Sequence, residues 1–169
     1  MIKRKRFFLI VTVLSIIIVV ACGKTNSTNN AESAPMFDLQ DLSGNQVALS
    51  DFAGEKVYVK YWASWCSICL AGLDELNMLA AQDNDFKVIS IVSPRYKAEK
   101  SSEEFKKWFA YLEADNLTVL LDEDGVYSKQ FGLLAYPTSY YIGSDSRLVQ
   151  TTIGHNSNEQ IINTFKDIN

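Results

Sequence analysis

The sequence predicts one α/β sandwich domain built on a mixed sheet, and three observations carry that expectation. Apolar runs of strand length alternate with apolar residues at helical spacing. Near the C-terminus, two strand-like runs follow each other across a four-residue turn signal with no helix between them. The chain shows no internal repeat. Alternating strands and helices call for parallel strands joined by crossovers, whereas a hairpin adds an antiparallel pair, so the sheet must be mixed.

In chain order, Phe37, Leu39 and Leu42 precede Ser43-Gly44-Asn45, and Val47 and Leu49 follow it. Two short alternating runs around a turn signal predict an N-terminal β-hairpin. Val57 to Trp62 is an apolar and aromatic run of central-strand length that leads straight into Trp65-Cys66-Ser67-Ile68-Cys69. Leu70, Leu73, Leu76, Leu79 and Ala80 then follow at helical spacing, so the cysteines sit where a strand gives way to a helix. Phe86 to Val92 reads as a second buried strand, Pro94 to Lys100 as a polar excursion, and Glu103 to Ala114 as a helix with Phe105, Trp108, Phe109 and Leu112 on one side. Those aromatic residues read as core rather than binding site. Leu117 to Leu121 is the next strand and Val126 to Phe131 a short helix. Thr138 to Ile142 and Leu148 to Ile153 form the second hairpin, and Glu159 to Ile168 a closing helix.

The N-terminal end carries a different signal. Lys3, Arg4, Lys5 and Arg6 lead an apolar stretch from Phe7 to Ala21, short for a membrane span, which ends in small residues before Cys22. This reads as a signal peptide over residues 1–21. Val19-Val20-Ala21-Cys22 resembles the lipobox of bacterial lipoproteins, which implies cleavage before Cys22 and lipid on its sulfur; the other reading is an uncleaved signal anchor. Cleavage removes four positive charges and takes the formal charge from −4 to −8 over the remaining 148 residues. Such an acidic domain is a poor partner for nucleic acid or anionic lipid, so membrane attachment falls to the lipid anchor. Residues 22–34, rich in Asn, Ser and Thr, read as a tether, and residues 35–169 as the folded domain.

With Cys22 lipidated, one pair remains, Cys66 and Cys69, outside the cytoplasm where disulfides persist. Cysteines three apart share a helix face, with Cβ atoms about 5–6 Å apart, and need only a small adjustment to bond. Cys66 at the helix start meets unpaired N–H groups that favour a thiolate, which makes it the nucleophile and Cys69 the resolving thiol. Two plainer readings compete. Zinc needs four ligands, and the chain offers only His155 besides the pair, so no metal is expected. A purely structural bridge over so small a loop adds little chain-entropy stabilisation.

Tyr61-Trp62-Ala63-Ser64-Trp65-Cys66-Ser67-Ile68-Cys69 resembles the active-site segment of the thioredoxin superfamily, and Tyr136-Pro137-Thr138 resembles its cis-proline loop. The resemblance implies a thioredoxin-like sandwich, a central mixed sheet with helices on both faces. It also implies substrate contacts at Ser67, Ile68, Tyr136 and Pro137, and no cofactor beyond the Cys66–Cys69 disulfide. Trp65, which flanks the nucleophile, reads as substrate-facing from the aromatic habit at contact surfaces, with plain packing as the other reading. The N-terminal hairpin, lipobox and Pro94–Lys100 excursion are similar to the extracytoplasmic TlpA-like or ResA-like branch, and most similar to surface thioredoxin-like lipoproteins of Gram-positive bacteria. That likeness implies electrons from a CcdA-type membrane thiol carrier, passed to a surface methionine sulfoxide reductase. On the same fold, a disulfide-forming oxidase or a cytochrome c maturation or sporulation thiol reductase are the rivals. A surface binding lipoprotein with an incidental disulfide is the rival from another class.

Two positions depart from the branch. Gly72 stands where many members carry a Glu three residues after the second Cys; Asp74 and Glu75 lie around the helix from Cys69 and are no obvious substitute. Lys60 occupies the strand position of the buried Asp of thioredoxins. Either it tunes the thiols, or its stem is buried and its amine reaches water. Asp122-Glu123-Asp124-Gly125 is a turn rather than a calcium loop, because Leu120 and Phe131 fall where carboxylates are required. His155 reads as a surface loop residue without a role, and Tyr96 is left unassigned.

Overall fold

Strand β3 (Lys56–Tyr61) is the centre of the molecule, and its alternation explains the two-sided core. Successive side chains of a strand face opposite ways. Tyr58, with Trp62 just beyond the strand, packs on one face with both cysteines, while Val57, Val59 and Tyr61 pack on the other with Phe131 and Tyr140. A strand buried on both faces must be flanked and covered, and it is. The computed structural model describes residues 32–169. The expected signal peptide, Cys22 and most of the tether lie outside the described residues.

Seven strands form one sheet in the order β2-β1-β5-β4-β3-β6-β7. β1 (Asp38–Asp41) and β2 (Gln46–Ala48) are the N-terminal hairpin. β4 (Phe86–Val92) and β5 (Thr118–Leu121) run parallel to β3 and supply the crossover half. β6 (Thr138–Ile142) and β7 (Leu148–Ile153) form the second hairpin, antiparallel to β3. The sheet is mixed for the reason given by the element order. Glu32 to Ala34, the end of the expected tether, already follow the β6–β7 turn: Ala34 is buried and Ser33 bridges to Arg147.

Helices cover both faces. On the cysteine face lie α1 (Ser67–Ala71), α2 (Leu73–Ala80), α3 (Ser102–Phe109) and α5 (Asn158–Lys166), which contribute Leu76, Phe105 and Phe165. Opposite them, α4 (Val126–Gln130) and a 3-10 turn at Leu49–Phe52 pack against the second cluster. Each large side chain buried in this way adds about 1.5–3 kcal/mol of transfer free energy. Ser101 and Ser157 accept from the backbone N–H groups of Glu104 and Gln160, which fixes where α3 and α5 start.

Two helices differ from the sequence expectation. The apolar spacing from Leu70 to Ala80 predicts one helix, but the chain breaks at Gly72 (φ −98°, ψ 7°) into α1 and α2. Periodicity survives the break because Leu73, Leu76 and Leu79 keep one buried face. Helix α3 ends at Phe109 rather than Ala114; Leu112 N–H turns back to the Phe109 carbonyl, and Leu112 and Ala114 still reach the core from the turn.

Candidate active site

The cysteine pair is placed by the end of β3. Trp62 N–H donates to the Ile91 carbonyl at 3.1 Å, extending the β3–β4 pairing by one residue, and Cys66 N–H closes a turn onto the Ala63 carbonyl. Cys66 then caps α1, with its sulfur accepting from Cys69 N–H at 3.3 Å. The two cysteines form a disulfide with Cα atoms 5.2 Å apart. Cys66 is 8 % exposed and Cys69 3 %, so Cys66 is the more accessible of the two. Trp65 (52 %) and Ile68 (57 %) stand in solvent on either side of it, and Ser67 is exposed between them and the deeper cysteine.

The other wall comes from the start of β6. Thr138 pairs with Tyr61 in the register, so Tyr136 and Pro137 lie beside the loop that carries the cysteines. The Tyr136–Pro137 bond is cis. Tyr136 meets Trp65 edge to face with ring centroids 5.7 Å apart, and burial pushes its phenol up to about 12. Pro137 itself is tied down by its carbonyl, which accepts from Gly154 N–H at 2.8 Å.

The polar excursion after β4 clamps both walls, a role that the sequence did not reveal. Arg95, Lys97 and Ala98 have positive φ, so this loop is held in an uncommon conformation. What holds it is Glu99, only 6 % exposed: its carboxylate accepts from the Ser64 N–H and the Ser64 hydroxyl at 2.5 and 2.6 Å. Lys100 Nζ donates to the same Ser64 hydroxyl at 2.7 Å. Lys97 Nζ reaches the Leu133 and Leu134 carbonyls ahead of the proline, and lies over the Tyr136 ring. Tyr96 packs its ring under Lys129 and against Gly125, a structural place. Asp122 points inward to the backbone N–H groups of Tyr127 and Ser128, so this acidic stretch is a turn that starts α4.

The cysteine face of the sheet also carries a lysine. Lys60 is 3 % exposed, on the sheet face of Tyr58 and Trp62, between Ser90 and Ser139 on the neighbouring strands. Burial pushes its amine down to about 8, with the Glu75 carboxylate opposing the shift. At 3 % exposure the side chain does not reach out to water. Glu75 pairs with His155 Nε2 at 3.0 Å and accepts from Asn158 N–H at 2.9 Å. His155 packs on Gly72: a Cβ built there would lie 2.5 Å from His155 Nδ1. His155 is therefore not the isolated surface loop residue that its place in the sequence suggested. A glycine inside a helical pattern was the one local sign of such a close approach.

Residues 29–168 match the Redoxin family. The chain belongs to the Redoxin family. It is 48% identical over 124 residues to an uncharacterised protein of Haemophilus influenzae, covering 73% of this chain and 80% of that one. It is 26% identical over 165 residues to the thiol-disulfide oxidoreductase ResA of Bacillus thuringiensis, covering 90% and 93%. Among solved structures, the exposed lipoprotein thioredoxin Etrx1 of Streptococcus pneumoniae superposes with a TM-score of 0.76 at 39% identity, over 79% of this chain and all of that one. The fold is thioredoxin-like, and the enzyme class is thiol-disulfide oxidoreductase of the thioredoxin-like type.

Proposed function

We propose that this Redoxin-family chain is an exported, lipid-anchored thiol-disulfide reductase. The observation that carries the reading is a disulfide at the head of a helix, with Cys66 at the cap the more accessible residue and Cys69 the more buried. In the reduced enzyme, Cys66 thiolate attacks a client disulfide, forms a mixed disulfide and expels one client thiolate. Cys69 thiolate then attacks Cys66 Sγ, re-forming the Cys66–Cys69 bond and releasing the second client thiol; two electrons have passed to the client. The reaction needs no metal or organic cofactor beyond this pair. Trp65, Ser67, Ile68, Tyr136 and Pro137 are the client-facing surface, the aromatic rings supplying contact area.

Residues 1–21 are the proposed signal peptide, Cys22 the lipidated residue, and the domain from about residue 35 onward the catalytic part, held at the outer face of the cell membrane. Likeness to an exposed lipoprotein thioredoxin supports that location. Relatives come from Haemophilus influenzae as well as Streptococcus pneumoniae, so the proposal covers the anchored state and not one type of cell envelope. A CcdA-type membrane thiol carrier is the proposed electron donor, and a surface methionine sulfoxide reductase the proposed client. Cys69→Ser removes the resolving thiol and should hold clients on Cys66 as mixed disulfides. Capture of a methionine sulfoxide reductase on the full-length lipoprotein supports the client assignment; capture of cytochrome c maturation proteins alone replaces it. A reduction potential near −120 mV would make the enzyme an oxidase instead.

A further inference from the structure

Resolution of the mixed disulfide requires Cys69, the buried cysteine, to lose its proton, and the structure packs an imidazole on the residue one helical turn further along. Gly72 follows Cys69 by one helical turn, and side chains at that spacing have Cβ atoms about 5–6 Å apart on one face. At position 72 there is no side chain; the His155 ring fills that place, with Nδ1 2.5 Å from where a Cβ would stand. The ring is held at one nitrogen, and the loop that carries it is fixed on either side. Its Nε2 meets Glu75 Oε2 at 3.0 Å, Gly154 N–H is bonded to the Pro137 carbonyl, and Asn156 donates to Tyr141 Oη and Thr152. Glu75 is fixed in turn, because Asn158 N–H donates to its Oε1 at 2.9 Å. With Nε2–H directed at a carboxylate, Nδ1 is left with the lone pair, on the side of Gly72 and the cysteine helix.

We propose that His155 accepts the Cys69 proton in the resolving step, with Glu75 as the positioning residue that orients the imidazole. This rests on the reductase reading of the cysteine pair. The Cys69 S–H proton passes to Nδ1, directly or through one water. The thiolate attacks Cys66 Sγ, the bond from Cys66 to the client breaks, and the client sulfur leaves with the electron pair. The imidazolium then returns its proton to the departing thiolate. The charged and titratable groups around this pair are Lys60 and Tyr58 of β3, which interact with Glu75, and Tyr141 of β6 beyond Asn156.

Reaction of the reduced protein with dithionitrobenzoate separates the two steps, since Cys66 attack and Cys69 resolution each release one coloured thiolate. Followed by stopped flow between pH 5.5 and 9, His155→Gln should show the first phase at the wild-type rate. Its second phase should be slowed about 100-fold at pH 7 and should climb with hydroxide across the range. Glu75→Gln should show the same change in pH profile with a smaller loss, and added imidazole should restore the second phase of His155→Ala. A second phase with the wild-type pH profile in His155→Gln, its first phase intact, overturns the proposal. If the wild-type protein shows no first phase at all, the reductase reading itself falls.

Discussion

The two sides of the disulfide differ in what they expose and what they bury. Outside Cys66 the surface is apolar and aromatic: Trp65, Ile68 and Leu134 are exposed, and Tyr136 backs Trp65. Inside, Cys69 packs in the apolar core with Trp62, Leu73 and Leu76, and the charged groups on that side are few and fixed: Lys60 buried on the sheet, and Glu75 paired with His155 beside Gly72. The difference follows from what each step needs. Docking of a client gains from removing apolar area from water, whereas moving a proton at a buried sulfur needs charged groups held at fixed positions.

The inner side should give the largest effect on stability. Lys60 has its folded-state value pushed below 10.5, to about 8, so between those limits the unfolded chain binds the extra proton. Stability should therefore rise as pH climbs from 8 toward 10, and Lys60→Met should be more stable than wild type at pH 7 by on the order of 3 kcal/mol. Urea unfolding at pH 7 and pH 10 measures both, and a flat wild-type profile would break the claim that Lys60 is held dry. Above pH 10 the trend reverses, since burial keeps Tyr58, Tyr61 and Tyr136 protonated in the folded state, and their contribution is lost as the pH passes their raised values.

Next in size comes the clamp that joins the two sides. Glu99→Gln leaves the bonds to the Ser64 backbone and hydroxyl without their charge and should lower stability by about 1.5–3 kcal/mol. Unchanged unfolding in urea, with client reduction unaffected, would show that the 94–100 loop is not what fixes the cysteine turn. The smallest effect belongs to the outer side. Trp65→Ala should raise KM for a protein disulfide about tenfold, near 1.4 kcal/mol, while leaving reaction with small disulfides unchanged. An equal loss with both substrate types would mean that the ring supports the turn rather than the client.

The order of elements and the cysteine turn were legible because they are local. A continuous apolar run of strand length marks β3, alternation around a turn signal marks the N-terminal hairpin, and three-residue cysteine spacing at a strand end marks the redox pair. Sequence reading failed where one partner is far along the chain. Glu99 reaches back 35 residues to Ser64, and Asn158 reaches 83 residues to Glu75; no window of sequence holds both members of either pair. The helix break at Gly72 was hidden because the leucines keep their buried face across it, and the His155 ring that packs there comes from a loop after β7.

The contact between Gly72 and His155 also constrains how this enzyme can be altered. Any methyl or larger group at position 72 must evict the imidazole, so the two positions are only exchangeable together. A chimera that grafts a relative's cysteine helix with a bulky residue at position 72, but keeps this chain's loop after β7, would contain two side chains competing for one space. Transplanting helix and loop as a unit avoids that collision, which makes the pair, and not the cysteine motif alone, the smallest portable part of this catalytic centre.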